Sequence, residues 1–133
     1  MKGQHEDWMS QSDFDLDHAE LAVREGHFEW AAFAALQAAE KASRALHLAM
    51  GNQPAASELT VLLDSFPGNL KPPANIMQFA KGLEYHYLAA RYPTLFPHGT
   101  PGEHYTEQQA KEAIAEAEII IDFCYRSIQT LPD

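Results

Sequence analysis

A chain of 133 residues, 46% of them hydrophobic, can bury one sizeable core, and we predict a single helical domain over residues 1–133. Its net charge of −10 repels nucleic-acid phosphates at long range, which argues against a protein that coats DNA or RNA but allows a small basic pocket or a basic protein partner. No apolar run approaches the ~20 residues that span a bilayer, the first residues lack the apolar block of a signal peptide, and Cys124 has no second cysteine to pair with. We therefore expect a cytoplasmic protein without membrane contact.

The first half of the chain predicts two long helices. The first spans about residues 10–25 and stops at Gly26, and the second runs from about Phe28 to Met50 and stops at Gly51. Small residues recur along the second helix every three or four positions, so a neighbouring helix can approach closely: Ala32, Ala35, Ala39, Ala42, Leu46 and Ala49. The opposite side of this helix carries Gln37, Glu40, Arg44 and His47.

Three further helices follow. A short one is predicted within residues 57–66 with Ser57 as its cap, and a fourth long helix over about residues 74–91. The last begins at Thr106, which forms a capping-box pattern with Gln109. Its apolar residues make one continuous seam: Ala110, Ile114, Ala117, Ile121, Cys124, Ile128 and Leu131. We predict an all-α fold, an antiparallel up-and-down bundle of four long helices and one short helix.

The stretch RYPTLFPHG, residues 91–99, interrupts this helical pattern. Pro93 should end the fourth helix at about Arg91, and the prolines and glycines that follow should prevent a new helix before Thr106. Arginine offers a planar fork of donors to phosphate oxygens, and histidine can move a proton near neutral pH. Arg91 and His98 therefore suit phosphodiester chemistry. Chemistry alone favours the simpler alternative, in which Arg91 pairs with a carboxylate or caps its helix and His98 is a solvated loop residue.

Three stretches of the chain resemble the HEPN domains, named for higher eukaryotes and prokaryotes nucleotide-binding. They are GHFEWAAFAALQAAEKA in the second helix, YLAARYP at the end of the fourth, and the alanine- and isoleucine-rich last helix. The resemblance covers nearly the whole chain. It implies an all-α bundle that often forms a homodimer.

The resemblance also implies two kinds of function. Many members carry an arginine, four to six residues and a histidine, and in those with ribonuclease activity this pair is implicated in metal-independent RNA cleavage at a dimer interface. Arg91 and His98, with six residues between them, satisfy the spacing. Other members are inactive and pair with a small nucleotidyltransferase, sometimes as a toxin–antitoxin couple.

These observations give a set of candidate site residues. Arg91 and His98 are the candidate catalytic pair, and the candidate ligand-binding residues are Arg91, Tyr92, Tyr87, Gln37, Glu40 and Lys41. A carboxylate at Glu40 could hold Arg91 in position, but a solvated helix face explains Gln37 and Glu40 equally well. For Arg44 and His47 we favour the solvated face. We predict no metal and no cofactor, and a buried, unreactive thiol at Cys124.

Two functions remain open. The first is a nucleotide- or RNA-phosphate-binding module, homodimeric, with a small nucleotidyltransferase as its candidate partner. The second is a metal-independent endoribonuclease that uses Arg91 and His98 in a cleft at a dimer interface.

Overall fold

The computed structural model describes residues 3–132. It contains seven helices over that range: α1 (Gln4–Arg24), α2 (Phe28–Ala49), α3 (Leu59–Asp64), α4 (Ala74–Glu84), α5 (His86–Ala89), α6 (Pro101–His104) and α7 (Glu107–Gln129). Single 3₁₀ turns lie at Gly68–Leu70 and Pro93–Leu95. Residues 3–132 contain no strand, which confirms the predicted all-α helical bundle. None of these helices is both long enough and apolar enough to cross a membrane.

The first two helices form a hairpin. Gly26 has a φ of 79°, and the amides of Gly26 and His27 donate to the carbonyls of Val23 and Ala22, which closes α1. α1 begins at Gln4, earlier than the predicted start near residue 10, because Met9 and Trp8 in its added turns pack against the core. The buried hydroxyl of Ser12 donates to the Ala38 carbonyl at 2.6 Å and joins the two helices.

Helix α2 lies at the centre of the bundle, where it packs against α1 and α7 and touches α3, α4 and α5. Its predicted seam of small residues is buried from Ala32 to Leu46. The apolar seam of α7 is buried from Ala110 to Cys124. Small side chains on α2 let these neighbours approach on several sides at once, because they occupy little of the space between the helix axes.

The solvated face predicted for Arg44 and His47 is wrong. His47 is buried, donates from Nε2 to the Leu62 carbonyl at 2.7 Å, and stacks on Phe66 at 4.2 Å. Arg44 donates to the carbonyls of Pro54 and Ala56. The reason is tertiary: α3 and the loop before it fold over the C-terminal half of α2 and cover these residues.

Two predicted helix boundaries are also wrong. α3 begins at Leu59 with Glu58 as its N-terminal cap residue and no side-chain cap bond, so Ser57 is not the cap. The fourth helix is interrupted at Tyr85, which gives α4 and α5. His86 then points inward, and Tyr87 is 50% exposed. Consecutive helical residues face different directions, so only one of this pair can enter the core.

The segment between α5 and α7 is more ordered than predicted. Thr100 and Glu103 form a reciprocal capping box, Pro101 occupies the first helical position, and the short helix α6 follows. The expectation that no helix would form before Thr106 is therefore wrong. The capping box of Thr106 with Gln109 is confirmed, with the Thr106 amide 2.9 Å from Gln109 Oε1.

Candidate functional site

The Arg91 guanidinium lies among three aromatic rings at the end of α5. Its Cζ is 4.3 Å from the ring centre of Tyr87, 4.8 Å from that of Phe33 and 4.9 Å from that of Tyr92. Each such contact stabilises an exposed cation by ~0.5–1 kcal/mol. Arg91 Nε also donates to the Tyr87 carbonyl at 2.6 Å. The side chain is thus fixed by contacts that leave its positive charge in place. We call Arg91, Phe33, Tyr87 and Tyr92 the arginine cage.

The donors at the far end of Arg91 remain available. Within residues 3–132 the two terminal nitrogens form no hydrogen bond, and no carboxylate lies within ion-pairing distance of them. Rings that cover the faces of a guanidinium leave its edge open, and the edge carries the N–H groups that bind carboxylate or phosphate. The cage therefore presents a fixed cation that lacks a protein counter-ion in the described part of the chain.

His98 lies in a loop that is held by its neighbours. The His104 ring stacks on Phe96 at 4.4 Å with the two planes 5° apart, and His104 Nε2 donates to the His98 carbonyl at 2.6 Å. At the end of the loop, the Tyr105 hydroxyl bonds to Nδ1 of the buried His86 at 2.5 Å. The His98 side chain itself is exposed. Within residues 3–132 no hydrogen bond joins the His98 ring to Arg91.

A polar row crosses α2 beside the cage. The Gln37 amide donates to Glu40 Oε1 at 3.0 Å, and the Lys41 ammonium donates to Asp15 at 2.6 Å and to Gln37 Oε1 at 3.4 Å. Three of the predicted ligand-binding residues, Gln37, Glu40 and Lys41, are therefore in mutual contact. The suggested role of Glu40 in holding Arg91 is taken by the Tyr87 carbonyl and the aromatic rings instead.

Glu40 is the most perturbed carboxylate of this row. Burial raises its pKa to about 7, Lys41 opposes that rise, and the carboxylates of Glu84 and Glu58 add to it. Glu40 and Tyr87 line a common hollow of about 240 Å³ with Leu36, Ser57, Glu58 and Glu84. The polar row and the arginine cage are thus neighbouring parts of one surface.

Comparison with known proteins identifies the family. The HEPN domain family matches residues 5–128, which is most of the chain. The chain belongs to the HEPN domain family. No curated protein matches it.

Solved structures agree with this assignment. TT1696 from Thermus thermophilus is 35% identical, with 95% of this HEPN chain and 99% of that one covered and a TM-score of 0.91. ST0689, an archaeal HEPN homologue, is 36% identical, with 96% and 99% covered and a TM-score of 0.81. An HEPN domain protein from Thermotoga maritima is 29% identical, with 93% and 98% covered and a TM-score of 0.77.

The structure of this HEPN domain brings some predicted residues together and leaves others apart. Arg91, Tyr87 and Tyr92 share the cage, and Tyr87 connects it to Glu40. Phe33, the fourth member of the cage, was not among the predicted site residues. The sequence held a signal for it, because Phe33 precedes Gln37 by four residues and so lies on the same face of α2.

Residues 3–132 contain no group of three or more histidine, cysteine, aspartate or glutamate side chains arranged to hold a metal ion. Cys124 is fully buried, and burial raises the pKa of its thiol to about 12, so the thiol stays protonated at neutral pH.

Proposed function

We propose that this HEPN domain is a binding module for the phosphate of a nucleotide or of RNA, with Arg91 as the phosphate-binding group. The observation that carries the proposal is the arginine cage. Three aromatic rings and one carbonyl hold Arg91, and its terminal nitrogens form no hydrogen bond within residues 3–132. In a chain with a net charge of −10, a fixed arginine that has no carboxylate partner among residues 3–132 is a local positive site.

Binding measurements on Arg91 variants test this proposal. Isothermal titration of adenosine 5′-monophosphate and of a short unpaired RNA should give a dissociation constant that rises about tenfold or more in Arg91→Ala, as expected for the loss of a charged hydrogen bond. Arg91→Lys should recover only part of the affinity, because lysine keeps the charge but not the planar fork. Arg126→Ala is the matched control, since Arg126 is an exposed arginine already paired with Asp122. Equal affinity in all four proteins would refute the role of Arg91.

We further propose that the module acts as a homodimer and that its protein partner is a small nucleotidyltransferase, in a toxin–antitoxin couple. The HEPN assignment supports both parts. The surface supports the first, because large apolar side chains stay exposed on and around α5: Tyr85, Leu88, Tyr92 and Leu95.

Light scattering and co-purification test the two associations separately. Light scattering should give twice the mass of one chain, and Leu88→Glu should lower the mass to that of a monomer. Co-purification with a nucleotidyltransferase encoded beside the gene, and growth arrest that this partner relieves, would support the couple. A monomer at micromolar concentration, or no co-purification, would remove the corresponding part.

The second candidate is a metal-independent endoribonuclease. The observation that favours it is the ordered loop, in which His104 holds the His98 carbonyl and α6 is capped, so that His98 sits on a fixed, exposed turn. In this mechanism an RNA 2′-hydroxyl attacks the adjacent phosphorus and the 5′-oxygen leaves. His98 moves a proton and Arg91 stabilises the extra negative charge. In HEPN ribonucleases this pair is implicated in a cleft at a dimer interface, so we propose that a second subunit completes the site.

Cleavage assays separate the enzyme from the binding module. Purified protein is incubated with unpaired RNA in the presence of a chelator, alongside Arg91→Ala, His98→Ala and, as a control for an exposed imidazole, His27→Ala. The enzyme proposal expects cleavage by the unmodified protein and by His27→Ala only. Intact RNA throughout, with Arg91-dependent binding retained, would leave the binding module as the function.

A further inference from the structure

A second hollow shares Phe33 with the arginine cage. It has a volume of about 300 Å³ between α1 and the N-terminal half of α2. Its apolar walls are Trp30 and Phe33, and its rim is polar: Asp15, His18, Gln37 and Lys41. Aromatic walls combined with a few polar groups are typical of sites that bind small organic ligands.

Trp30 is the unusual residue of this hollow. Its side chain is 47% exposed, although it belongs to the central helix of the bundle. It meets Phe33 edge-on, with ring centres 6.1 Å apart and planes at 88°, and this contact favours one orientation of the indole. An exposed indole held in one orientation is a surface on which a flat ring can stack.

The hollow and the cage share one residue. Phe33 lines the hollow with Trp30, and its ring also lies 4.8 Å from Arg91 Cζ. The Trp30 ring centre lies 6.1 Å and Arg91 Cζ lies 4.8 Å from the same Phe33 ring centre. The distance between the indole and the guanidinium therefore cannot exceed the sum of these two distances. This upper limit leaves both groups within reach of one nucleotide, in which the ribose joins the base to the phosphate.

We propose that Trp30 and Phe33 form a nucleobase-binding site, so that the ligand of this surface is a single unpaired nucleotide with its base against Trp30 and its phosphate at Arg91. This inference rests on the proposed phosphate site and adds the substrate class. A sugar phosphate that lacks a base should bind less tightly than a nucleotide, because stacking on the indole supplies part of the affinity. The rim groups are hydrogen-bond partners for the edges of the base, since Gln37 has an amide hydrogen beyond the one it gives to Glu40.

The charge around the hollow agrees with a ligand of nucleotide size. Lys41 is already paired with Asp15, so Arg91 is the cation left for the phosphate in this part of the described surface. A long polyanion would meet the repulsion of a chain with a net charge of −10, whereas one nucleotide needs only one compensating cation.

Affinity comparisons between ligands with and without a base test the inference. Adenosine 5′-monophosphate should bind at least about tenfold more tightly than ribose 5-phosphate, as expected for one stacked base. Trp30→Ala should remove this advantage and Trp30→Phe should keep most of it. Tyr125→Ala is the matched control, because Tyr125 is a comparably exposed aromatic residue on α7. The affinity for a tetranucleotide of unpaired RNA, compared with that for adenosine 5′-monophosphate, shows whether the ligand is a free nucleotide or a nucleotide within a strand.

Fluorescence gives an independent readout. The chain has two tryptophans, and Trp8, which lies over the Arg44 guanidinium, can be replaced by phenylalanine so that Trp30 reports alone. Adenosine 5′-monophosphate should quench this emission until it reaches a plateau, and the quenching curve should give the same dissociation constant as isothermal titration. Ribose 5-phosphate should not quench it.

The outcomes distinguish this inference from the function on which it rests. Equal, Arg91-dependent affinities for the two ligands, or unchanged Trp30 emission at saturation, would overturn the base site and leave the phosphate site intact. Loss of the dimer in Trp30→Ala without a change in the ligand ratio would overturn the base site too and assign Trp30 to the subunit interface. Absence of binding by either ligand would refute both proposals.

Discussion

Protonation of His86 should destabilise the fold as the pH falls below about 6.5. The ring of His86, the first residue of α5, is buried, and its Nδ1 bonds to the hydroxyl of Tyr105 at the end of the loop between α5 and α7. Burial lowers its pKa from 6.5 to about 4, because a charged ring loses hydration that the site does not replace. The perturbation is a change of pH, applied to the unmodified protein and to His86→Gln, whose amide is neutral throughout.

The expected magnitude follows from this shift. Above pH 6.5 the ring is neutral in both folded and unfolded chains and has no effect. Between pH 6.5 and 4 the unfolded chain binds a proton that the folded chain does not, so the free energy of unfolding falls. Below pH 4 both states carry the proton and the loss is complete. At about 1.4 kcal/mol for each pKa unit, the full loss is about 3 kcal/mol.

Urea unfolding followed by circular dichroism at several pH values measures this effect. His86→Gln should be less stable than the unmodified protein at pH 7.5, and the difference should shrink by about 3 kcal/mol as the pH approaches 4. Tyr105→Phe separates burial from the hydrogen bond. It should lower stability by ~1–3 kcal/mol at pH 7.5 but keep the pH dependence, because His86 stays buried. If the free energies of unfolding of the unmodified protein and of His86→Gln change with pH in parallel, the pH dependence does not come from His86.

Three further predictions concern stability. Glu40 has a folded pKa raised above its unfolded value of 4.5, so its contribution is lost as the pH rises through about 7. In urea titrations, Glu40→Gln should therefore raise the free energy of unfolding at pH 8 by roughly 2 kcal/mol. This value is smaller than the full pKa shift implies, because Glu40 is partly exposed to solvent. Near pH 4.5 the substitution should make no difference. Leu46→Ala, at a fully buried core position, should cost ~2–5 kcal/mol by the same method, and a cost below about 1 kcal/mol would contradict its packing. Thr106→Ala should cost ~1 kcal/mol through loss of the α7 cap, whereas unchanged thermal unfolding would show that this capping box is not needed.

The predicted fold follows from local patterns that the tertiary structure keeps. The alanine seam of α2 and the apolar seam of α7 are buried as their periodicity requires, and the Thr106 capping box forms as its spacing predicts. His47 shows where local patterns fail. Its position on the polar side of α2 predicts solvent, yet α3 and the preceding loop, which are distant in sequence, cover it. A periodicity within one helix carries no information about which other segment will lie on it.

The candidate site shows the same division. The chemistry of Arg91 and its flanking tyrosines was readable from RYP and the residues before it, and all three lie in the cage. Phe33 was not among the predicted site residues, because its contact with Arg91 joins α2 to the turn after α5 across 58 positions of sequence. The grouping of Gln37, Glu40 and Lys41 was expected from helical spacing, whereas the bond from Lys41 to Asp15 on α1 was not.

The amino-acid sequence alone predicts the long helices, their apolar faces and an arginine at a proline-imposed break, because these depend on backbone preferences and on residues a few positions apart. The tertiary structure adds that aromatic rings surround Arg91, that burial raises the pKa of Glu40 to about 7, and that Trp30 remains exposed beside Phe33. Each of these depends on the distance between segments far apart in the chain, and that distance is set by how the whole core packs.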